Sequence, residues 1–249
     1  MRLRCGAFLL FVCCVFQVSA DADRPTLAAI ASAHPLATKA GMEILAAGGN
    51  AFDAAVAVSA ALAVVEPYSS GIGGGGFWLL HRVRDGHEVM VDGRERAPLA
   101  ARRDMYLDTD GAVIPGLSVD GALAAGIPGE PAALVHISRR YGRLSLRRNL
   151  QPAIRLAREG FTVDAHYRKL AQFRQVALQN DPEAAAIFLQ DDEVPAPGQR
   201  IVQPDLAGTL ESIARFGNGG FYRGPVARKL VDGVRAAGGI WTLEDLAQY

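Results

Sequence analysis

Residues 50–98 read NAFDAAVAVSAALAVVEPYSSGIGGGGFWLLHRVRDGHEVMVDGRERAP, and this stretch decides the fold. From Ala51 to Glu66 most residues are Ala, Val or Leu, which predicts an α-helix that is covered on more than one face. Asn50 suits the N-cap position, and Pro67 ends the helix because a proline disfavours helical geometry in the residue before it. We therefore expect a buried helix at the centre of the fold.

The predicted helix is followed by a glycine loop and two predicted strands. Residues 71–76 read GIGGGG, and glycines allow positive φ angles and the close approach of another backbone or a ligand. Residues 77–83 and 87–91 have the composition of strands, and the Asp-Gly pair between them is typical of a hairpin turn. A phosphate-binding loop would run from a strand into a helix, whereas this loop runs from a helix into a strand. The composition favours a flexible or tightly turned connector.

Five stretches carry a more specific pattern in a fixed order and spacing: 34–57 (HPLATKAGMEILAAGGNAFDAAVA), 73–77 (GGGGF), 94–98 (RERAP), 151–161 (QPAIRLAREGF) and 238–246 (GGIWTLEDL). Together they resemble the γ-glutamyltranspeptidase (glutathione hydrolase) family. The resemblance covers nearly all of the chain after about residue 25.

The resemblance implies an α/β (α+β) fold, the αββα four-layer sandwich of the N-terminal nucleophile hydrolases, incomplete in this chain. It also implies a precursor that cleaves itself and exposes a threonine at the start of a small subunit. The hydroxyl of that threonine attacks the γ-glutamyl amide, with its own α-amine as the base. The threonine of the family lies beyond Tyr249, so we expect no catalytic residue in this chain and no activity from the chain alone.

Arginines crowd the segment that follows the predicted hairpin. Arg94, Arg96, Arg102 and Arg103 lie there with Glu95 and Asp104, and most clusters of this kind are solvated faces. The resemblance implies more for Arg94, which matches the arginine that binds the α-carboxylate of the γ-glutamyl donor. A guanidinium suits this task because its planar fork makes two parallel bonds to a carboxylate. We expect Glu95 to orient or screen these arginines.

The first twenty residues have the composition of an export signal. Two arginines within the first four residues give a positive start, residues 7–16 are apolar but too short to span a bilayer, and the VSA sequence at 18–20 matches a small-residue cleavage site. We expect residues 1–20 to be a signal peptide and the mature chain to begin near Asp21. The protein is then exported, to the periplasm or the medium.

All three cysteines lie in this leader, which leaves the mature chain with no disulfide framework, thiolate metal site or cysteine nucleophile. Removing the leader takes away two of the 26 basic residues and none of the 26 acidic ones, so the mature net charge is about −2. A nucleic-acid partner is not expected without a strong basic bias. The apolar run at 51–66 is shorter than about 20 residues and contains Asp53, so a membrane span is not expected either.

The rest of the chain predicts further elements but few chemical groups. We expect a short strand at 26–31, helices at 35–47, 131–141, 147–158, 206–216 and 226–237, and a helix, an acidic turn and a loop within 161–200. His34, just before a helix, is more typical of a local hydrogen-bonding residue than of a ligand or base. Residues 108–111 predict a turn, since the ligand pattern of a calcium loop fails there. No metal or cofactor is expected.

These observations lead to one interpretation with open alternatives. We interpret residues 21–249 as part of the large subunit of a γ-glutamyltransferase or glutathione hydrolase, truncated at the C-terminal end, with a small subunit from the same precursor as partner. The donor would be a γ-glutamyl compound such as glutathione. A cephalosporin acylase or a poly-γ-glutamate-processing enzyme on the same scaffold is one alternative, and a non-catalytic exported remnant is another.

Overall fold

A computed structural model describes residues 28–249, and the predicted leader lies outside the described residues. Within that range the chain forms α-helices, two short antiparallel sheets and one turn of 3₁₀-helix at Ala122–Ala124. The helices are α1 (Pro35–Ala46), α2 (Ala51–Val65), α3 (Glu130–Tyr141), α4 (Leu146–Glu159), α5 (Ala165–Phe173), α6 (Gln175–Gln179), α7 (Pro182–Phe188), α8 (Pro204–Phe216), α9 (Gly219–Tyr222), α10 (Gly224–Ala236) and α11 (Leu243–Ala247). The strands are β1 (Gly76–Arg82), β2 (His87–Gly93), β3 (Phe161–Thr162) and β4 (Arg200–Ile201). The long helices predicted from sequence are confirmed to within about two residues at each end.

Helix α2 forms the centre of the core. It packs against α1, α3 and α4, and its side chains are buried on several faces, as the all-round apolar sequence predicted. The Asn50 side chain caps it by accepting hydrogen bonds from the backbone N–H groups of Phe52 and Asp53. Asp53 completes a capping box by accepting from the Asn50 backbone. The helix ends at Val65, two residues before the proline.

The predicted hairpin is present and slightly longer than predicted. Strands β1 and β2 pair in register from Gly76 opposite Gly93 to Arg82 opposite His87. The turn between them includes Asp85, whose carboxylate accepts hydrogen bonds from the Arg82 side chain, and Gly86 at a φ of 63°. One face of β1 packs on the core through Leu80. Strand β2, which pairs with β1, lies beside α3.

The strand predicted at 26–31 is wrong for the residues that the structure describes. Residues 28–31 form neither helix nor strand and are mostly exposed. No described strand runs beside them, so their backbone groups have no ladder to join, and an apolar composition alone does not make a strand. The second sheet instead pairs β3 with β4, where Phe161 lies opposite Ile201. This short pairing was missed, because two-residue strands carry no periodic pattern.

Residues 161–200 contain more helix than predicted. Three short helices, α5 to α7, fill the first part, and the acidic turn at Asp191 and Asp192 has left-handed backbone with φ of 51° and 62°. Of the described residues, none forms a helix long and apolar enough to cross a membrane.

Candidate functional site

The glycine loop is a tight turn that is fixed to helix α3. The backbone N–H of Gly74 donates to the carbonyl of Gly71 at 3.1 Å. The Gly74 carbonyl in turn accepts from the N–H groups of Gly129 and Glu130, at 2.9 and 3.0 Å. These two donors belong to the first turn of α3, which would otherwise leave them unpaired. The loop is therefore a rigid connector.

Close backbone approach, and not positive φ, explains the glycine at position 75. None of Gly73, Gly74, Gly75 and Gly76 has a positive φ, so the loop does not use that conformational freedom of glycine. A Cβ on Gly75 would overlap the Gly93 carbonyl oxygen and lie 3.0 Å from the backbone nitrogen of Glu95. The backbone of residues 93–95 can thus pass directly against the loop, which brings the start of the arginine-rich segment to it.

Arg94 lies at the end of β2 with its backbone fixed and its side chain free to meet a ligand. Its N–H donates to the Asp92 carboxylate at 2.9 Å. Its guanidinium Nε lies 3.4 Å from Glu95 Oε2, and the side chain is 66% exposed. Glu95 is less exposed, at 31%. The role of Glu95 in orienting or screening the arginines stays a prediction.

Arg94 and Glu95 line a cavity of about 330 Å³ beside the glycine loop. Its wall also includes Ser59 from α2, Ser70 from the segment before the loop, and Glu130 from α3. Burial first, and then the negative charge of Glu95, raises the pKa of Glu130 to about 7. The cavity therefore combines one permanent cation with one carboxylate and a second carboxyl that is partly protonated near neutral pH.

The other arginines of the segment make different contacts. Arg96 lies over the ring of Tyr249, with its guanidinium carbon 4.6 Å from the ring centroid. Arg102 is 77% exposed and makes only a 3.6 Å contact with Asp104, which agrees with a solvated face. A second cavity of about 500 Å³ opens on the other side of Arg94. Of residues 28–249, Arg94 and Glu95 alone line both cavities.

Two side chains considered as possible ligands have local structural roles. His34 caps α1, and its Nδ1 accepts the backbone N–H of Leu36 at 3.1 Å, as expected of a local hydrogen-bonding residue. Burial lowers the pKa of His34. Asp108 accepts from the N–H groups of Asp110 and Ala112, which confirms a turn there. Over residues 28–249, no group of His, Cys, Asp and Glu side chains is arranged to hold a metal ion.

Sequence reasoning did not select several residues of the cavity wall, among them Glu130, Ser59 and Ser70. Glu130 lies 35 positions after Glu95, and only the hydrogen bonds from the start of α3 to the Gly74 carbonyl bring it to the loop. Ser59 is one polar residue in an apolar helix, and its hydroxyl accepts from the Trp78 indole at 3.1 Å. Ser70 donates towards Glu66 at 3.4 Å. A hydroxyl within an otherwise apolar stretch of α2 was the one available signal for Ser59.

Known proteins share this sequence and this fold. The family profile of gamma-glutamyltranspeptidase matches residues 37–249. The glutathione hydrolase proenzyme of Pseudomonas sp. (strain A14) is 43% identical over 241 residues, which cover 95% of this chain and 42% of that protein. The γ-glutamyltranspeptidase of Helicobacter pylori superposes with a TM-score of 0.88 at 40% identity, over 91% of this chain and 65% of that one. A cephalosporin acylase from Bacillus halodurans has a TM-score of 0.77 at 30% identity, over 91% of this chain and 45% of that one.

These likenesses establish the class of fold as that of the N-terminal nucleophile hydrolases, with mixed α and β elements. The chain belongs to the γ-glutamyltranspeptidase family. It spans 42% of the length of the Pseudomonas relative, so it corresponds to one part of such a protein. The resemblance seen in the sequence motifs is confirmed.

Proposed function

We propose that the protein containing this chain cleaves γ-glutamyl amides such as glutathione and transfers the γ-glutamyl group to water or to an amino-acid or peptide acceptor. This chain supplies the large-subunit part that binds the donor. The nucleophilic threonine and the groups that stabilise the oxyanion come from a small subunit of the same precursor. That precursor is named a proenzyme in the Pseudomonas relative, in line with processing into two subunits.

The observation that carries this proposal is the position of Arg94. Its side chain is two-thirds exposed, lines a cavity and contacts Glu95, while its backbone N–H is fixed by Asp92. The α-amino-acid end of a γ-glutamyl group has a carboxylate and an ammonium. A guanidinium binds the carboxylate through two parallel hydrogen bonds. The Glu95 carboxylate in the wall of the same cavity complements the ammonium.

The likeness to a cephalosporin acylase keeps one alternative substrate class open, but the identity to it is 30% against 40% for the Helicobacter pylori γ-glutamyltranspeptidase. A donor without an α-carboxylate would also make no use of the exposed Arg94 guanidinium at the cavity. Both observations favour a γ-glutamyl donor. Export to the periplasm or the medium is part of the proposal and rests on the leader sequence.

The test is turnover by protein expressed from its complete coding sequence. We expect release of p-nitroaniline from γ-glutamyl-p-nitroanilide and of glutamate from glutathione. The matched control is α-glutamyl-p-nitroanilide, which has the same atoms but places the scissile amide on the other carboxyl. Equal turnover of the two anilides, or turnover of neither, would contradict the proposed function.

A further inference from the structure

Tyr249 contacts the backbone of Arg94, although the two residues are far apart in the sequence. Its hydroxyl donates a hydrogen bond of 2.8 Å to the Arg94 carbonyl oxygen, 155 positions earlier. Burial raises the pKa of the Tyr249 hydroxyl, so it remains a protonated donor at neutral pH. The two hydrogen bonds to the Arg94 backbone come from different sides. Asp92 fixes its N–H, and Tyr249 fixes its carbonyl.

The ring of Tyr249 contacts two further side chains, Tyr222 and Arg96. Tyr222 stacks on one face, with ring centroids 5.4 Å apart and planes inclined by 7°. The Arg96 guanidinium also lies over the ring, 4.6 Å from its centroid, and donates to the Gln248 carbonyl at 3.2 Å. Tyr222 is 4% exposed, and its hydroxyl donates to the Pro128 carbonyl at 2.8 Å. The stack is therefore anchored in the core.

The turn before α3 leaves just enough room for the Tyr249 hydroxyl. A Cβ on Gly129 would overlap that hydroxyl and the carbonyl oxygens of Gly93 and Arg94. The φ of Gly129 is −111°, an ordinary value for any residue, so space and not backbone conformation calls for glycine there. The same turn donates the N–H of Gly129 to the glycine loop. The hydroxyl thus lies where the cavity loop, the end of β2 and α3 meet.

We propose that Tyr249 is a positioning residue for donor binding. Its hydroxyl fixes the Arg94 backbone, and Tyr222 and Arg96 fix the Tyr249 ring, so that the Arg94 guanidinium is presented to the donor carboxylate in one orientation. The inference rests on the proposed function, since it assigns Tyr249 a role through Arg94. Preorganisation of this kind lowers the cost of ordering a side chain when a ligand binds.

The test compares Tyr249→Phe with wild type in protein expressed from its complete coding sequence. Phenylalanine keeps the stacked ring and removes only the hydroxyl. We expect the donor KM to rise about three- to tenfold, the range for one neutral hydrogen bond, with kcat near the wild-type value. Thr209→Val is the control, because its hydroxyl also donates to a backbone carbonyl, that of Asp205, and Thr209 lines neither cavity. We expect Thr209→Val to leave KM unchanged.

A double variant separates positioning from general stabilisation. If Tyr249 acts through Arg94, adding Tyr249→Phe to Arg94→Ala should raise KM no further. The same fold increase in both backgrounds, or an unchanged KM for Tyr249→Phe alone, would overturn the positioning role. If Tyr249→Phe does not fold, Arg96→Met tests the positioning role instead. It removes the cation from the ring at an exposed position and should raise KM about two- to fivefold; no change would count against the inference.

The outcomes also separate this inference from the proposed function. A wild-type protein without γ-glutamyl turnover refutes the proposed function. An active wild type in which Arg94→Ala raises KM but Tyr249→Phe does not refutes the positioning role alone.

Discussion

The Asp53 carboxylate accepts a hydrogen bond of 2.8 Å from the side-chain amide of Asn149, which joins the start of α2 to α4. Asp53 is fully buried. It also accepts from the backbone N–H groups of Arg143 and Leu144 and from that of Asn50. One carboxylate therefore satisfies donors from three segments of the chain.

We predict that Asp53→Ala lowers the free energy of unfolding by about 3–5 kcal/mol, because it leaves several buried donors unpaired at once. Asp205→Ala is the control, since Asp205 lies in the exposed first turn of α8 and should cost at most about 1 kcal/mol. Urea denaturation of the purified variants measures both values. A loss for Asp53→Ala no larger than that of Asp205→Ala would show that this network adds little to stability.

The Asp53 network shows what sequence reasoning could and could not reach. The capping role of Asn50 and the buried helix followed from composition and position, since both depend on neighbours within a few residues. The bonds from Arg143, Leu144 and Asn149 depend on the packing of α4 against α2, which local patterns do not encode. A charged residue inside an apolar helix was the only sign of them.

The candidate site was likewise predictable from sequence only in part. Arg94 was selected from sequence through its motif, and the structure brings it to the cavity. Glu130 and Tyr249 were not selected, because their nearness to Arg94 comes from the turn before α3 and from the return of the chain at α11. The strand expected at 26–31 failed for a related reason, since a strand needs a neighbour that its own sequence does not specify.

The glycine loop offers a matched pair of substitutions. A Cβ on Gly75 would overlap the Gly93 carbonyl, whereas one on Gly73 would meet nothing within 4 Å. We predict that Gly75→Ala forces the end of β2 away from the loop and raises the donor KM at least tenfold, while Gly73→Ala leaves it within about twofold. Steady-state kinetics on the two variants measures this. Similar KM values for both would argue against a fixed distance between the loop and Arg94.

The buried Glu130 carboxyl makes the stability of the protein depend on pH in a defined direction. Its pKa is raised from 4.5 to about 7, first by burial and then by Glu95. Between these two values the folded protein binds a proton that the unfolded chain releases, so the contribution of Glu130 to stability falls as pH rises through this window. At pH 8 the folded state carries the whole cost of the buried charge.

We therefore predict that Glu130→Gln stabilises the protein relative to wild type by about 1–3 kcal/mol at pH 8, and by less at pH 5. Denaturation at both pH values tests this, with Glu183→Gln in the exposed first turn of α7 as control. A difference between Glu130→Gln and wild type that is the same at both pH values would rule out titration of Glu130 as its source.

The predicted leader lies outside the described residues, and its sequence predicts a cleavage site. We expect cleavage between Ala20 and Asp21, because the positive start, apolar stretch and VSA sequence follow the order of an export signal. N-terminal sequencing of protein recovered from the periplasm or the medium checks this. A mature chain that begins before Cys5, or protein that stays in the cytoplasm, would be inconsistent with it.

The donor-binding role of Arg94 predicts a large effect from one substitution. Loss of a charge-assisted, two-bond contact in a partly desolvated site costs about 2–5 kcal/mol, so Arg94→Ala should raise the donor KM roughly 30- to several-thousand-fold. Arg94→Lys should recover only part of this, because an ammonium cannot form the planar fork. Arg102→Ala, at a solvated arginine of the same segment, is the control and should change KM little.

The most direct measurement compares two donors in the wild type and in Arg94→Ala: γ-glutamyl-p-nitroanilide and 4-aminobutyryl-p-nitroanilide, which is the same molecule without the α-carboxylate. If Arg94 binds that carboxylate, the substitution should raise KM at least about 30-fold for the first donor and leave the weaker KM of the second nearly unchanged. An Arg94→Ala protein with a near-wild-type KM for γ-glutamyl-p-nitroanilide, or with equal losses for both donors, would contradict the role of Arg94 as the donor anchor.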